Sequence, residues 1–486
     1  MPLKIAVIGS GIGGIASAIR MAIRGHEVHV FEQNDYPGGK LSEVRLGDFR
    51  FDAGPSLFTM PELVDELFAL AGENPDDFFQ YQQLKEVCEY FYEDGTRLTA
   101  FADQEKLIEE LASIGEAPHN IRKALERNAT LYEYLGEMFM FRSLHDPKTY
   151  FSKSAFRSYR NLHKLDFFRT MDQANKDQFD DPRMTQLFNR YATYNGSDPY
   201  QTPATMNIIS HLEYGKGAYF PKGGMHQITK SLVKLAERKG VTFHLNSPVD
   251  KILTKNKHVV GIQLAGNQVD FDRVISNMDV VGTYKKLLTE IRAPKNLLTQ
   301  PKSSSALIFY WGIKEQFPEL GLHNIIFSRD YQQEFGKIFQ EKTIDEDPTV
   351  YINITSKLNQ NDAPEGSENW FTMINVPNND GQDWDALIGQ ARENILKKLS
   401  RVFGRPVESL IEEESLLEPR TIESKTSSSQ GALYGNSSNN KFAAFLRHNN
   451  VSRQVKGLFF CGGSVHPGGG IPMALSSAKI VDRYFQ

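Results

Sequence analysis

The opening of this chain leaves few folds available to it. Lys4-Ile5-Ala6-Val7-Ile8 is a short apolar run of the kind that buried strands use, and Gly9-Ser10-Gly11-Ile12-Gly13-Gly14 follows it directly. A stretch of small residues then predicts a helix ending near Gly25. Glu27-Val28-His29-Val30-Phe31 predicts a second strand, and that strand delivers Glu32. In such a βαβ unit each glycine has its own task. Gly9 permits the tight turn, Gly11 lets the backbone approach a pyrophosphate, and Gly14 allows the helix to pack closely on the strand. An anion at the helix N-terminus meets free N–H groups and the positive end of the helix dipole. Glu32 stands where it could accept hydrogen bonds from a ribose. Strand, glycines, helix and acid in this order are more specific than a bare glycine triplet, and they predict dinucleotide binding.

A length of 486 residues allows two or three domains. The net charge of −5, with no long basic run, gives no sign of nucleic-acid binding. The two cysteines, Cys88 and Cys461, suit a reducing compartment and rule out a disulfide framework. No cysteine–histidine cluster has metal-ligand spacing, so no metal is expected. The first strand begins at once and leaves no room for a signal peptide. No apolar run reaches the length of a bilayer span. The expected location is the cytoplasm, with contact at a membrane surface still open.

Further along, residues 63–71 predict a short helix, and Asp94-Gly95 predicts the turn of a hairpin over 91–98. Residues 104–190 carry apolar positions at helical spacing. An amphipathic helix is expected over 226–239, closed by Gly240, and then strands over 241–245, 249–254, 259–264 and 273–276. Strands of a second sheet are expected at 304–311, 350–355 and 370–376, with a helix over 386–403. Residues 426–440 are rich in Ser, Asn and Gly, a composition that predicts a flexible surface loop. The chain closes with an apolar strand at 457–461, a second glycine-rich turn and a helix. The nucleotide-type segments are therefore split. The predicted division is a discontinuous unit of 1–95, 214–290 and 441–486, a mostly helical region of 96–213, and a mixed region of 291–440 that holds the second sheet.

Several further segments carry a resemblance. They are Phe51-Asp52-Ala53-Gly54-Pro55, Pro199 with Thr202-Pro203-Ala204-Thr205, His211-Leu212-Glu213, and Phe220-Pro221-Lys222-Gly223-Gly224. Gly431-Ala432-Leu433-Tyr434-Gly435 and the run from His466 to Met473 complete the set. Together they resemble the flavin-dependent carotenoid desaturases of the bacterial phytoene-desaturase type, over nearly the whole chain. Gly463-Ser464-Val465-His466-Pro467-Gly468-Gly469-Gly470 is most similar to the hydroxycarotenoid 3,4-desaturases within that family.

The resemblance implies an α/β fold with a Rossmann-like FAD domain, of the glutathione-reductase and amine-oxidase kind, and a discontinuous α+β substrate domain. It implies extended FAD, with Gly9, Gly11, Ile12, Gly13 and Gly14 at the pyrophosphate and Glu32 and Gln33 at the adenosine ribose. Gly39, Lys40, Gly54, Pro55 and Ser56 match segments near the ribityl chain and ring. Val249 matches a position that meets the adenine. Gly463 and Ser464 would return to the pyrophosphate and ribityl. Gly470, Ile471, Pro472 and Met473 open a helix whose N-terminus would face the flavin pyrimidine.

The activity so implied is desaturation: hydride loss from an allylic carbon to flavin N5, then loss of a proton from the neighbouring carbon. The subfamily match points to 3,4-desaturation of a 1-hydroxylated carotenoid. Phytoene desaturase, carotenoid isomerase and amine oxidase are the enzymatic alternatives, and a prenyl-binding escort protein without redox activity is the non-enzymatic one. No second dinucleotide fingerprint is present for a nicotinamide, so oxygen or a membrane quinone is the expected electron acceptor. Asp166 and His466 are candidates for proton handling. A substrate this apolar must be collected from a membrane. Residues 142–169 suit that task, because Arg142, Lys148, Lys153, Arg157, Arg160, Lys164 and Arg169 interleave with Tyr150, Phe151, Phe156, Tyr159, Phe167 and Phe168. Peripheral attachment to the inner face of the membrane is therefore expected.

Overall fold

The computed structural model describes residues 1–440, 442 and 447–485. The boundary expected at 441 lies outside the described residues.

Two sheets organise the molecule. The first is fully parallel, with the spatial order Leu458–Phe460, Arg273–Ser276, Lys4–Ile8, Glu27–Phe31 and Thr242–His244. Its strands are apolar on both faces because both are covered. Ile5, Val7, Val28, Val30, Ile275 and Phe459 face the core shared with the helices Ile12–Ile23, His226–Arg238 and Ile471–Asp482. The alternate residues Ala6, Ile8, Phe31, Val274, Leu458 and Phe460 share a second core with Ile252 and Ile262. Those two belong to a separate antiparallel sheet of Val249–Lys255, His258–Leu264 and Asn267–Asp270.

The second sheet has seven strands, in the order Ile411–Leu417, Ser305–Ile313, Glu368–Val376, Val350–Ile354, His323–Ile326, Glu86–Phe91 and Arg97–Phe101. All neighbours are antiparallel except His323–Ile326 beside Glu86–Phe91. Period-two alternation gives it two different faces. Leu307, Phe309, Trp311, Ile352, Trp370 and Ile374 pack with Trp384, Ile395 and Leu399 of the helix Trp384–Phe403. The opposite face, with Ile308, Tyr310, Tyr351, Phe371 and Met373, forms one wall of a large cavity. The hairpin expected over 91–98 is present. Both of its strands pair in this second sheet, so the boundary placed at 95 divides it.

The stretch 426–440 overturns its expectation. It is folded against the core, with Ser428, Ala432, Asn436, Ser437 and Ser438 all buried. Its polar groups are satisfied internally. Ser303 N donates to Gly435 O at 2.8 Å, Leu433 N to Ser304 O at 3.1 Å, and Lys302 Nζ to Asn436 Oδ1 at 2.8 Å. Composition describes exposure only when small polar side chains lack partners, and here they have them.

Candidate active site

The parallel strands end at one edge, and their C-terminal residues lead into the cavity: Ile8 to Gly9, Phe31 to Glu32, and Ser276 to Asn277. This is the edge at which open α/β sheets bind ligands. The cavity holds about 800 Å³ and runs from this edge to the seven-stranded sheet.

Glu32, Gln33 and Val249 line one end of it. The Glu32 carboxylate is buried and fixed by four donors. Ser10 gives its N at 2.9 Å and its Oγ at 2.7 Å; Asn34 gives its N at 3.0 Å and its Nδ2 at 2.8 Å. Next come Gly9, Gly11, Ile12 and Gly13, facing Gly463 and Ser464. The two glycine loops touch: a Cβ on Gly13 would stand 2.9 Å from Gly462 N. Gly14 lies outside the cavity wall, where a Cβ would meet the carbonyl of Gly9, so its smallness serves packing of helix on strand.

Beyond the glycines the wall is made by Gly39, Lys40, Gly54, Pro55, Ser56, Gly470, Ile471 and Pro472. Met473 is not part of it. The helices Ile12–Ile23 and Ile471–Asp482 both begin here, capped by Gly11 and Gly470 without any side-chain cap. Two positive helix ends thus converge on one cavity and favour negative charge at two separated places. Gly470 has a φ of 95°, a conformation that glycine adopts without strain.

Buried side chains hold the bends in place. Asp52 accepts from Met225 N at 2.8 Å and His226 N at 3.1 Å, so it caps the helix His226–Arg238 from outside that helix. Arg50 Nη2 donates to Asp52 at 2.7 Å and Arg50 Nη1 to Asp362 at 3.2 Å. A Cβ on Gly224 would collide with this pair. The two sequence motifs around Asp52 and Gly224 are therefore halves of one junction. Tyr310 Oη donates to Ala53 O at 2.7 Å and ties the same bend to the second sheet. Lys40 Nζ donates to Leu433 O at 2.7 Å; burial pushes its pKa down to about 8, opposed by the nearby Asp279.

Neither proton-handling candidate lines the cavity. Asp166 is paired with Arg127 and with Arg169, whose Nη2 lies at 2.6 Å. His466 is buried, and burial lowers its pKa to about 4, so its ring is neutral. Its Nε2–H donates to Arg142 O at 2.7 Å and fastens the end of the helix Pro118–Phe141. At these places Asp166 stands in an arginine ion pair and His466 in a bond to a helix end.

Residues that sequence reasoning missed stand in the wall, as Asn277, Tyr351 and His323 do, or behind it, as Arg447 does. Asn277 Nδ2 donates to Cys461 O at 3.3 Å, and a Cβ on Gly11 would meet Asn277 Oδ1 at 2.5 Å. Its position directly after a strand of the parallel sheet was the available signal. Buried Arg447 donates to Tyr434 O at 3.0 Å, Asn436 O at 3.1 Å and Asn195 Oδ1 at 2.9 Å, which fixes the loop around Tyr434. Tyr351 and His323 line the far wall and had no local signal at all.

The residues present fit an extended dinucleotide: a carboxylate at one end, a glycine-lined waist, and a second uncapped helix at the other. Comparison with known proteins agrees. Residues 12–481 match the family described as flavin containing amine oxidoreductase. The chain is 51% identical over 478 residues to a 1-hydroxycarotenoid 3,4-desaturase of Flavobacterium sp. (strain P99-3), covering 98% of each chain. It is 31% identical to a 4,4'-diapolycopene oxygenase of Methylomonas sp, covering 98% of this chain and 97% of that one. Among solved structures, an oxidoreductase from Methanosarcina mazei superposes with a TM-score of 0.65 at 17% identity, over 98% of this chain and 99% of that one. The fold, the glycine-lined cavity and the match over nearly its whole length agree: this chain belongs to the flavin containing amine oxidoreductase family.

Proposed function

We propose that this protein is an FAD-dependent carotenoid desaturase that forms the 3,4 double bond of a 1-hydroxylated carotenoid. The carrying observation is one continuous cavity, which joins a glycine-lined cradle to an apolar wall of sheet side chains. The reading also draws on the 51% identity to the Flavobacterium enzyme. Intact glycine turns at both ends of the chain favour it over an escort protein.

When bound, FAD supplies a hydride acceptor for the allylic carbon. Gly9, Gly11, Gly13, Gly463 and Ser464 would hold its pyrophosphate, and Glu32 its ribose. Gly470 and Ile471 place a helix N-terminus where negative charge on the ring would be stabilised. Ile308, Ile325, Leu212 and Phe371 keep the substrate side dry. Dryness protects a polyene cation from water and strengthens every nearby dipole.

The region 142–169 is proposed as a peripheral contact with the inner face of the membrane. Phe151 is 78% exposed and Phe168 91%, and Phe156, Tyr159 and Leu162 are exposed beside Lys153, Arg157 and Arg160. Aromatic and basic side chains together favour an anionic interface. No helix among the described residues is long and apolar enough to cross a membrane. Oxygen or a membrane quinone remains the acceptor class for the electrons. Replacing Phe151, Lys153 and Phe156 with Ser should weaken co-sedimentation with anionic liposomes by about tenfold or more; undiminished binding removes the membrane contact.

The test of function is incubation with FAD and acyclic, monocyclic and 1-hydroxylated carotenoids in liposomes, with product absorption and mass recorded. A red-shifted product lighter by two hydrogens, formed from the hydroxylated substrates, is the expected result. Conversion of phytoene alone would replace the reading with phytoene desaturase. A product of unchanged mass would identify an isomerase, and failure to take up FAD would return the escort reading.

A further inference from the structure

One linked run of polar side chains stands in the apolar far wall. Ser56 Oγ lies 2.7 Å from Tyr351 Oη, and Tyr351 Oη lies 2.7 Å from His323 Nδ1. Asn353 Nδ2 reaches the same His323 Nδ1 at 3.2 Å and donates to Leu322 O at 2.9 Å. An amide nitrogen only donates, so His323 Nδ1 is the acceptor. Burial, helped by the charge of Arg190, pushes the His323 pKa down to about 3. The ring is therefore neutral, and its one proton sits on Nε2. Tyr351 must then donate to His323, and Ser56 to Tyr351. Two capacities are left over. Ser56 Oγ keeps lone pairs for a further donor. His323 Nε2–H is buried and has no hydrogen-bond partner among the described residues, although His323 belongs to the cavity wall. A buried donor of this kind calls for an acceptor.

We propose that the Ser56–Tyr351–His323 chain recognises the substrate's C1 hydroxyl and makes these residues the determinants of preference for 1-hydroxylated carotenoids. The inference rests on the desaturase reading and deepens it. Three bonds separate that hydroxyl oxygen from C3, one of the two reacting carbons. The oxygen must therefore lie beside the cofactor end of the cavity and not at its remote tip. Ser56 follows Gly54 in the bend that lines the cofactor end, and Tyr351 faces the same bend from the sheet. A hydroxyl can donate to the open Ser56 oxygen or accept from the His323 N–H; these point apart across the imidazole, so one oxygen meets one of them. A substrate without the hydroxyl leaves that capacity unmet, and sites built for a hydroxyl reject such analogues strongly.

The test uses the FAD-loaded enzyme in liposomes with a matched pair of substrates, one 1-hydroxylated and one identical but lacking the hydroxyl. The ratio of their kcat/KM values is read for the wild type, Ser56→Ala, Tyr351→Phe and His323→Leu. The wild type should favour the hydroxylated partner by roughly 100-fold or more. Each variant should lower that ratio about tenfold or more, and Tyr351→Phe and His323→Leu should do so with an unaltered flavin spectrum. Should His323→Leu not fold, Tyr351→Phe keeps the ring and its shape and decides the matter. An unchanged ratio, including equal losses on both substrates, overturns the proposal, as does a wild type without preference. A wild type that turns over neither substrate while holding FAD removes the desaturase reading and this inference with it; turnover without preference removes the inference alone.

Discussion

Near Glu32 and Gly11 the cavity wall is mostly glycine and backbone, whereas near Ile308, Tyr351 and Phe371 it is made of side chains standing on a sheet. The first end draws its specificity from where the chain can pass: Gly13 against Gly462, helix ends at Gly11 and Gly470. The second draws it from what alternate residues of several strands project. A backbone site admits one class of ligand and tolerates little change. A side-chain wall can be altered residue by residue while the fold stays. On the proposed function, cofactor identity and substrate identity are encoded in different material within one cavity.

The sharpest way to break this contrast is at the backbone end. Gly13→Val should abolish retention of FAD, because the added side chain would force apart two loops that touch; overpacking of this kind costs about 1–3 kcal/mol even where it is tolerated. Flavin absorbance per purified protein measures it, and a yellow variant would mean that the cradle is less rigid than described. Asp52→Ala comes next. It removes one partner of a buried ion pair together with a helix cap, and should lower stability by about 3–5 kcal/mol in urea titration. A loss under 1 kcal/mol would show that the junction between the two motifs is dispensable.

A smaller effect separates packing from chemistry at His466. Its folded pKa, about 4, lies below the unfolded value near 6.5. Between these values the unfolded chain binds more protons, so stability falls as pH drops from about 6.5 to 4. His466→Gln keeps a donor for Arg142 O and should remove about 1–3 kcal/mol of that acid loss. Identical pH profiles would show that the ring titrates normally. The smallest effect is expected for Asp166→Asn, which touches only a pair of arginines away from the cavity. Its turnover should stay within about twofold of wild type, and stability should shift by at most about 1 kcal/mol. A collapse of turnover with FAD retained would make Asp166 a participant and move part of the chemistry out of the cavity.

The same contrast explains what could be read in advance. Gly9 to Gly14 and Glu32 are adjacent in sequence because a βαβ unit is local, and the strands expected at 249–254, 259–264 and 273–276 appear as Val249–Lys255, His258–Leu264 and Arg273–Ser276. The bends at Asp52 and Gly224 were visible as glycine motifs, but their partnership was not, since it depends on Arg50 and Asp362 meeting across the fold. Tyr351 and His323 come from two separate strands and look like ordinary strand residues until the sheet sets them side by side. The stretch 426–440 misled for the opposite reason: its backbone meets Ser303 and Ser304, and its Asn436 side chain meets Lys302 and Gln300, all far away in sequence.

The edge strand Leu458–Phe460 and the helix Ile471–Asp482 complete the parallel sheet that Lys4–Ile8 begins. The first glycine turn gains its opposite wall only when Gly462, far away in sequence, is brought against Gly13. Contacts this distant in sequence make folding slow. The flavin cradle is therefore complete only once this distant contact has closed, and until then the strand Arg273–Ser276 is an uncovered, apolar sheet edge.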